Sequence, residues 1–135
     1  LNVFGIVSMV EVLDTKTGKW STLPRMPTER SSMAVAVIDD RFIWTFGGSG
    51  PGGLFLVQVF DVEKNEWSTP PIKMTSPRDG ARAVAVYHKI FIIGGLFGEG
   101  SKSQNFVEIL DTDTLTWSNA ASMDIGHYGH AVVGF

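Results

Sequence analysis

Cysteine is absent from all 135 residues, which excludes disulfides, thiolate zinc sites and cysteine nucleophiles from this stretch of chain. No run approaches the roughly 18 consecutive apolar residues of a membrane-spanning helix. The apolar start, LNVFGIVSMV, has neither a basic n-region nor a small-residue cleavage site, so it does not read as a signal peptide. Positive charge is scarce too: 11 Lys and Arg against 14 Asp and Glu give a net charge of −3, with no basic run. Nucleic acid and anionic membrane surfaces are therefore not the expected partners. Together these absences point to a cytoplasmic location. No stretch repeats apolar residues at the helical period, so almost no helix is expected. What is present is core-forming, with 44% hydrophobic and 19% charged residues.

The chain writes one phrase three times: VEVLDTKTGKW from position 10, VQVFDVEKNEW from 57 and VEILDTDTLTW from 107. Asp14, Asp61 and Asp111 are spaced by 47 and 50 residues, and Trp20, Trp67 and Trp117 keep those intervals. Gly47-Gly48 and Gly94-Gly95 are again 47 apart. Met26, Met74 and Met123 follow the tryptophans, and four residues beyond each methionine come Arg30, Arg78 and His127. A period near 50 is the signature of propellers or other arrays of supersecondary units.

Within a unit the apolar period is two, in β-branched and aromatic residues, as in strands. Each Asp opens a hairpin whose turn needs a residue of positive φ. Gly18 and Asn65 supply one, and Leu115 at the same place implies a strained or different turn. Strands are expected at 33–38, 41–46, 55–60 and 66–70, and again at 82–87, 89–93, 105–110 and 116–120. The double glycine ends the second strand of each set, where backbone approaches closely. Trp44 and Phe91, three residues earlier, join the repeated tryptophans as rings filling the space between stacked sheets.

A double glycine closing a strand, then V-x-V-x-D, tryptophan six residues on, then Pro, Met and Arg, resembles the kelch repeat. The resemblance covers essentially the whole chain, as two complete repeats flanked by two partial ones. It implies an all-β chain of kelch-type β-propeller blades. The departures are Phe91 where the other copy has Trp44, His127 in place of arginine, and Val3-Phe4-Gly5-Ile6 where the first copy should carry its double glycine. The blades fall at 1–26 (partial), 28–73, 76–122 and 124–135 (first strand only). That is about three four-stranded blades, and propellers close with about four to eight. An open arc is expected, either a piece of a longer propeller, as the strand-like start at Leu1 suggests, or half of a homodimeric ring.

Three motifs offer chemistry and are read as structure. Gly48-x-Gly50-x-x-Gly53 resembles a dinucleotide fingerprint, but LFLVQVFD follows as a strand, without the helix whose N-terminus would hold the pyrophosphate. Asp111-x-Asp113 resembles a phosphatase nucleophile, yet Asp14 and Asp61 hold the same turn position without a second aspartate. His127 and His130 are spaced to sit on opposite faces of a strand, which is poor for shared metal ligation. Arg30 and Arg78 recur by repeat position and read as struts for loop carbonyls or a carboxylate. Some kelch-like propellers are copper oxidases using a tyrosine crosslinked to cysteine, which a cysteine-free chain cannot make. No catalytic, cofactor or metal site is expected.

Binding is expected on one face. The loops joining second to third strands, 49–54 and 96–105, are the longest and least alike, and they share a face with the fourth-to-first connections. The candidate partner-binding residues are Ser49, Pro51, Phe97, Glu99, Lys102, Gln104 and Asn105, with Thr28, Glu29, Ser31, Ser76, Asp79 and Tyr128. The expected function is non-catalytic recognition of a protein partner or substrate, as in ubiquitin ligase adaptors. The alternative is a propeller enzyme or carbohydrate-binding module.

Overall fold

Three copies of one hairpin organise the chain. The computed structural model describes residues 7–52, 55–97 and 102–134. In it β1 (Val10–Asp14) pairs antiparallel with β2 (Lys19–Leu23). The same phrase later forms β5 (Val57–Asp61) with β6 (Glu66–Ser68), and β11 (Val107–Asp111) with β12 (Thr116–Ala120). Each turn closes identically. Oδ1 of Asp14, Asp61 or Asp111 accepts the amide hydrogens two and three residues on, at 2.8–3.2 Å. Gly18, Asn65 and Leu115 then take left-handed φ values of 69°, 55° and 55°. The third turn is thus the same turn, with Leu115 bearing about 1–2 kcal/mol of strain while its side chain packs against the core.

Two of the hairpins are extended into four-stranded sheets. β3 (Ala34–Ile38) and β4 (Phe42–Phe46) give the order β3-β4-β5-β6. β7 (Arg82–Val86) and β8 (Lys89–Ile93) give β7-β8-β11-β12. The chain between β8 and β11 adds a ribbon that the sequence pattern did not announce, β9 (Leu96–Phe97) with β10 (Lys102–Ser103). No α-helix occurs among the described residues. The fold is all-β, built of antiparallel blades.

The core lies between the two large sheets. Ala34, Ala36, Ile38, Trp44, Phe46, Val57 and Val59 of one sheet face Ile90, Ile92 and Leu110 of the other, all buried in one cluster. Trp117 reaches across from the second sheet and meets the Phe46 ring edge-on, centroids 6.2 Å apart. Trp67 makes the joint one sheet earlier by a hydrogen bond: its ring lies against Phe60 of its own sheet, and its Nε1–H donates to Pro24 O, just beyond β2, at 2.9 Å. Each of these tryptophans therefore joins its own sheet to the preceding one. The backbone makes a second joint. Gly48 N–H donates to Arg78 O, and Gly95 N–H to His127 O, both at 2.8 Å. A Cβ at Gly48 would collide with the Ser31 carbonyl oxygen, and φ there is 93°, so only glycine allows this approach.

Three expectations need correction. Trp20 is not enclosed between sheets: it is 65% exposed, because the described residues place no sheet on the side its repeat position faces. Residues 127–134 form no strand. They run beside β7, with Gly134 against Val84 and Ala85, and share no ladder with it. Strand limits also shift slightly, the third strands beginning at Val57 and Val107. The expected motif Val3-Phe4-Gly5-Ile6 lies outside the described residues.

Candidate functional site

All the long loops emerge at one end of the sheets, where hydrogen bonds lace them together. Ser31 and Ser49 exchange two backbone bonds of 2.9 Å, and Asp79 and Leu96 exchange two of 3.1 and 2.7 Å. Gly80 N–H donates to Ser32 O, and one repeat later Gly129 N–H donates to Gly80 O. The Ser49 hydroxyl donates to Asp79 Oδ2 at 2.6 Å, tying a second-to-third loop to the next fourth-to-first connection. Ser31, Ser49 and Asp79 are consequently half-buried parts of the frame as well as candidates for contact.

The remaining candidates divide by exposure. Pro51, Glu29, Lys102 and Asn105 are exposed, Phe97 is 46% exposed and Tyr128 60%. Phe97 sits on β9 opposite Lys102 on β10. Gln104 Nε2–H donates to Lys102 O at 2.9 Å and clamps that ribbon, and Asn105 Nδ2–H donates to Met123 O at 2.9 Å. Thr28 and Ser76 are half-buried at equivalent repeat positions. Glu99 lies outside the described residues. Tyr128 Cβ lies beside Gly80, so Tyr128 joins the loops of the neighbouring sheet.

Beneath the loops stand the two arginines, each 1% exposed. Arg30 donates to Gly47 O at 2.9 Å, to the Thr45 hydroxyl at 2.8 Å and to Gln58 Oε1 at 2.9 Å. Arg78 donates to the carbonyls of Ile92, Gly94 and Phe106 at 3.1–3.2 Å and forms a buried ion pair with Glu108. Its guanidinium also stacks 3.8 Å over the Phe106 ring. These bonds hold the carbonyls around the double glycines and so fix the roots of the long loops. Burial lowers the Arg30 pKa to about 10. Burial lowers that of Arg78 too, opposed by the charge of Glu108, and raises the Glu108 carboxyl.

Gln58 and Glu108 are what the sequence reading missed. Both are the second residue of the repeated phrase, and a polar side chain in mid-strand at that recurring place was the available signal. The phrase aspartates serve the opposite end. Asp61 is held at a pKa of about 2, first by its hydrogen bonds from Arg41, and a cleft of about 380 Å³ opens nearby over Phe42, Trp44, Val59 and Leu115. His127 and His130 have ring centroids 5.9 Å apart. Burial first, then the charges of His127 and Arg82, lower the His130 pKa.

Four-stranded antiparallel sheets joined side by side through tryptophans and double glycines define this as a protein of propeller blades. Residues 5–133 match the KLHDC2/KLHL20/DRC7 Kelch-repeats domain. The chain belongs to the kelch-repeat family, whose domains generally serve as protein-interaction modules. It is also similar to acyl-CoA-binding domain-containing protein 4 of Arabidopsis thaliana, with 31% identity over 124 residues. The match covers 87% of this chain and 18% of that relative's length. No helix among the described residues is long and apolar enough to cross a membrane.

Proposed function

We propose that this chain is a non-catalytic recognition module that binds a protein partner through the loop end of its blades. The observation that carries the reading is the contrast between frame and surface. The loops are rooted on buried arginines and cross-laced backbone, yet they present two aromatic side chains, Phe97 and Tyr128, that the frame leaves 46% and 60% exposed. Aromatic side chains on a rigid base are the usual anchors of protein interfaces, since little entropy is lost on binding. Lys102 and Glu29, exposed on the same end, provide charges of both signs for the rim.

The proposed setting is substrate or partner recognition in a larger cytoplasmic assembly, such as a ubiquitin ligase adaptor. The blades are proposed to form part of a propeller, with no cofactor or metal in the recognition event. A peptide-display selection on the 135-residue chain tests the reading. Selected peptides should lose binding to Phe97→Ala while that variant melts within a few degrees of wild type. Peptides that bind Phe97→Ala and Tyr128→Ala as well as wild type would refute it.

A further inference from the structure

The joint after the third sheet is built differently from the one before it. Gly95 N–H donates to His127 O as Gly48 N–H donates to Arg78 O one repeat earlier. Arg78 is buried beneath its joint, whereas His127, at the same repeat position, is exposed. A handful of hydrogen bonds holds the segment 123–129 in its place. Met123 N–H donates to Asn105 O at 2.7 Å, His127 N–H to Gln104 O at 3.1 Å and Gly129 N–H to Gly80 O at 2.9 Å. Asn105 Nδ2–H returns a bond to Met123 O at 2.9 Å. No sheet ladder reinforces them, and segments held this sparsely are where proteins open locally.

His130 stands behind these bonds. Its ring lies on Gly94, so close that a Cβ there would meet Cε1 at 3.0 Å, and its centroid is 5.9 Å from that of His127. The residue is half-buried, but both ring nitrogens are sealed from solvent and meet no hydrogen-bond partner among the described residues. The charged groups that bear on it are His127 from its own segment and Arg82 from β7, and both oppose a proton. No described carboxylate pairs with it. A neutral imidazole can stay in such a place. An imidazolium would sit without an acceptor between two groups that repel it. Burial first, then His127 and Arg82, accordingly hold the His130 pKa below the ordinary 6.5. Once the segment is released the histidine is an ordinary one, so the open form binds more protons. The support that neutral His130 gives the closed form is therefore complete above about pH 6.5 and is lost as pH falls toward the folded value.

We propose that residues 123–130 form an acid-released latch: protonation of His130 frees the segment from Gln104, Asn105 and Gly80 and loosens that side of the loop end. Tyr128 rides on the latch, so acid also disperses the proposed recognition surface. That consequence rests on the partner-binding reading, and the latch itself does not.

Amide hydrogen exchange on the 135-residue chain, each rate divided by the intrinsic rate at the same pH, tests the latch. Gly95 N–H should lose protection roughly fivefold or more between about pH 7.5 and about pH 5. Gly48 N–H, the same joint one repeat earlier and without a histidine, should keep its protection, which also reports that the chain is folded. His130→Met and His130→Ala install the neutral residue types that Met33 and Ala81 supply at this repeat position in the other sheets, and should abolish the pH dependence at Gly95. The inference is overturned if Gly95 is already unprotected at neutral pH, or if its protection is as indifferent to acid as that of Gly48. It is equally overturned if both variants lose protection in acid as steeply as wild type, or if the His130 ring, followed by NMR, titrates at or above its ordinary 6.5.

Discussion

Replacing Arg78 by methionine removes a charge while keeping most of the stem's volume. It strips the donors from the carbonyls of Ile92, Gly94 and Phe106 and leaves the Glu108 carboxyl buried without its counterion. Breaking one side of a buried ion pair costs about 3–5 kcal/mol, a large share of the roughly 5–15 kcal/mol that holds a domain folded. Arg30→Met is the control. Its lost partners are the neutral Gly47 carbonyl, Thr45 and Gln58, so no buried charge is stranded, and about 1–3 kcal/mol is expected. The two variants should also differ in pH dependence. Glu108 already has its folded-state pKa raised above the ordinary 4.5 by burial, and Arg78 works against that rise. Without Arg78 the folded pKa climbs further. A carboxyl whose pKa is higher folded than unfolded favours folding at low pH, and that contribution is lost as pH rises through the folded value. Arg78→Met should therefore be less destabilised at pH 5 than at pH 7, whereas the penalty of Arg30→Met should be nearly the same at both. Urea unfolding followed by tryptophan fluorescence measures this. Equal penalties with equal pH dependence would refute the buried-pair account.

Other outcomes follow from the same geometry. Trp117→Ala, which empties a half-buried slot against Phe46, should cost about 2–3 kcal/mol, less than the 3–5 of a fully enclosed ring. Trp20→Ala, at a position 65% exposed, should stay within about 0.5 kcal/mol of wild type. A larger loss at Trp20 than at Trp117 in the same urea series would contradict the packing described. Gly48→Ala drives a methyl group into the Ser31 carbonyl at a φ of 93° and should destabilise by about 1–3 kcal/mol. An unchanged melting temperature for that variant would show that the joint between sheets is not tight.

Hairpins were legible because their determinants are local. An aspartate that caps its own turn and a glycine or asparagine with positive φ act within a few residues, so three diverged copies still announce one shape. Leu115 shows the limit, since only the fold reveals that it accepts the left-handed conformation its position demands. Packing was legible less completely. The repeat marks Trp20, Trp67 and Trp117 as equivalent, but their surroundings depend on whether a sheet stands on the preceding side. The β9–β10 ribbon was missed because two-residue strands carry no periodicity to read. Of the candidate site, the loop end could be placed by counting antiparallel strands. The difference between Gln58 and Glu108 could not, because its consequence, a neutral contact with Arg30 in one sheet and a buried ion pair with Arg78 in the next, appears only when arginines about thirty residues away in sequence are seen beside them.

The central claim is that recognition occurs at the loop end and not at the turn end. Tyr87 makes this decidable, because it lies in the turn between β7 and β8 at the opposite end and, at 91%, is more exposed than either Phe97 or Tyr128. The decisive measurement is the dissociation constant of one display-selected peptide for wild type, Phe97→Ala, Tyr128→Ala and Tyr87→Ala. Hot-spot truncation costs about 2 kcal/mol or more, so the account predicts at least a tenfold loss for Phe97→Ala or Tyr128→Ala and none for Tyr87→Ala. Tight binding by both loop-end variants with loss at Tyr87→Ala would contradict it.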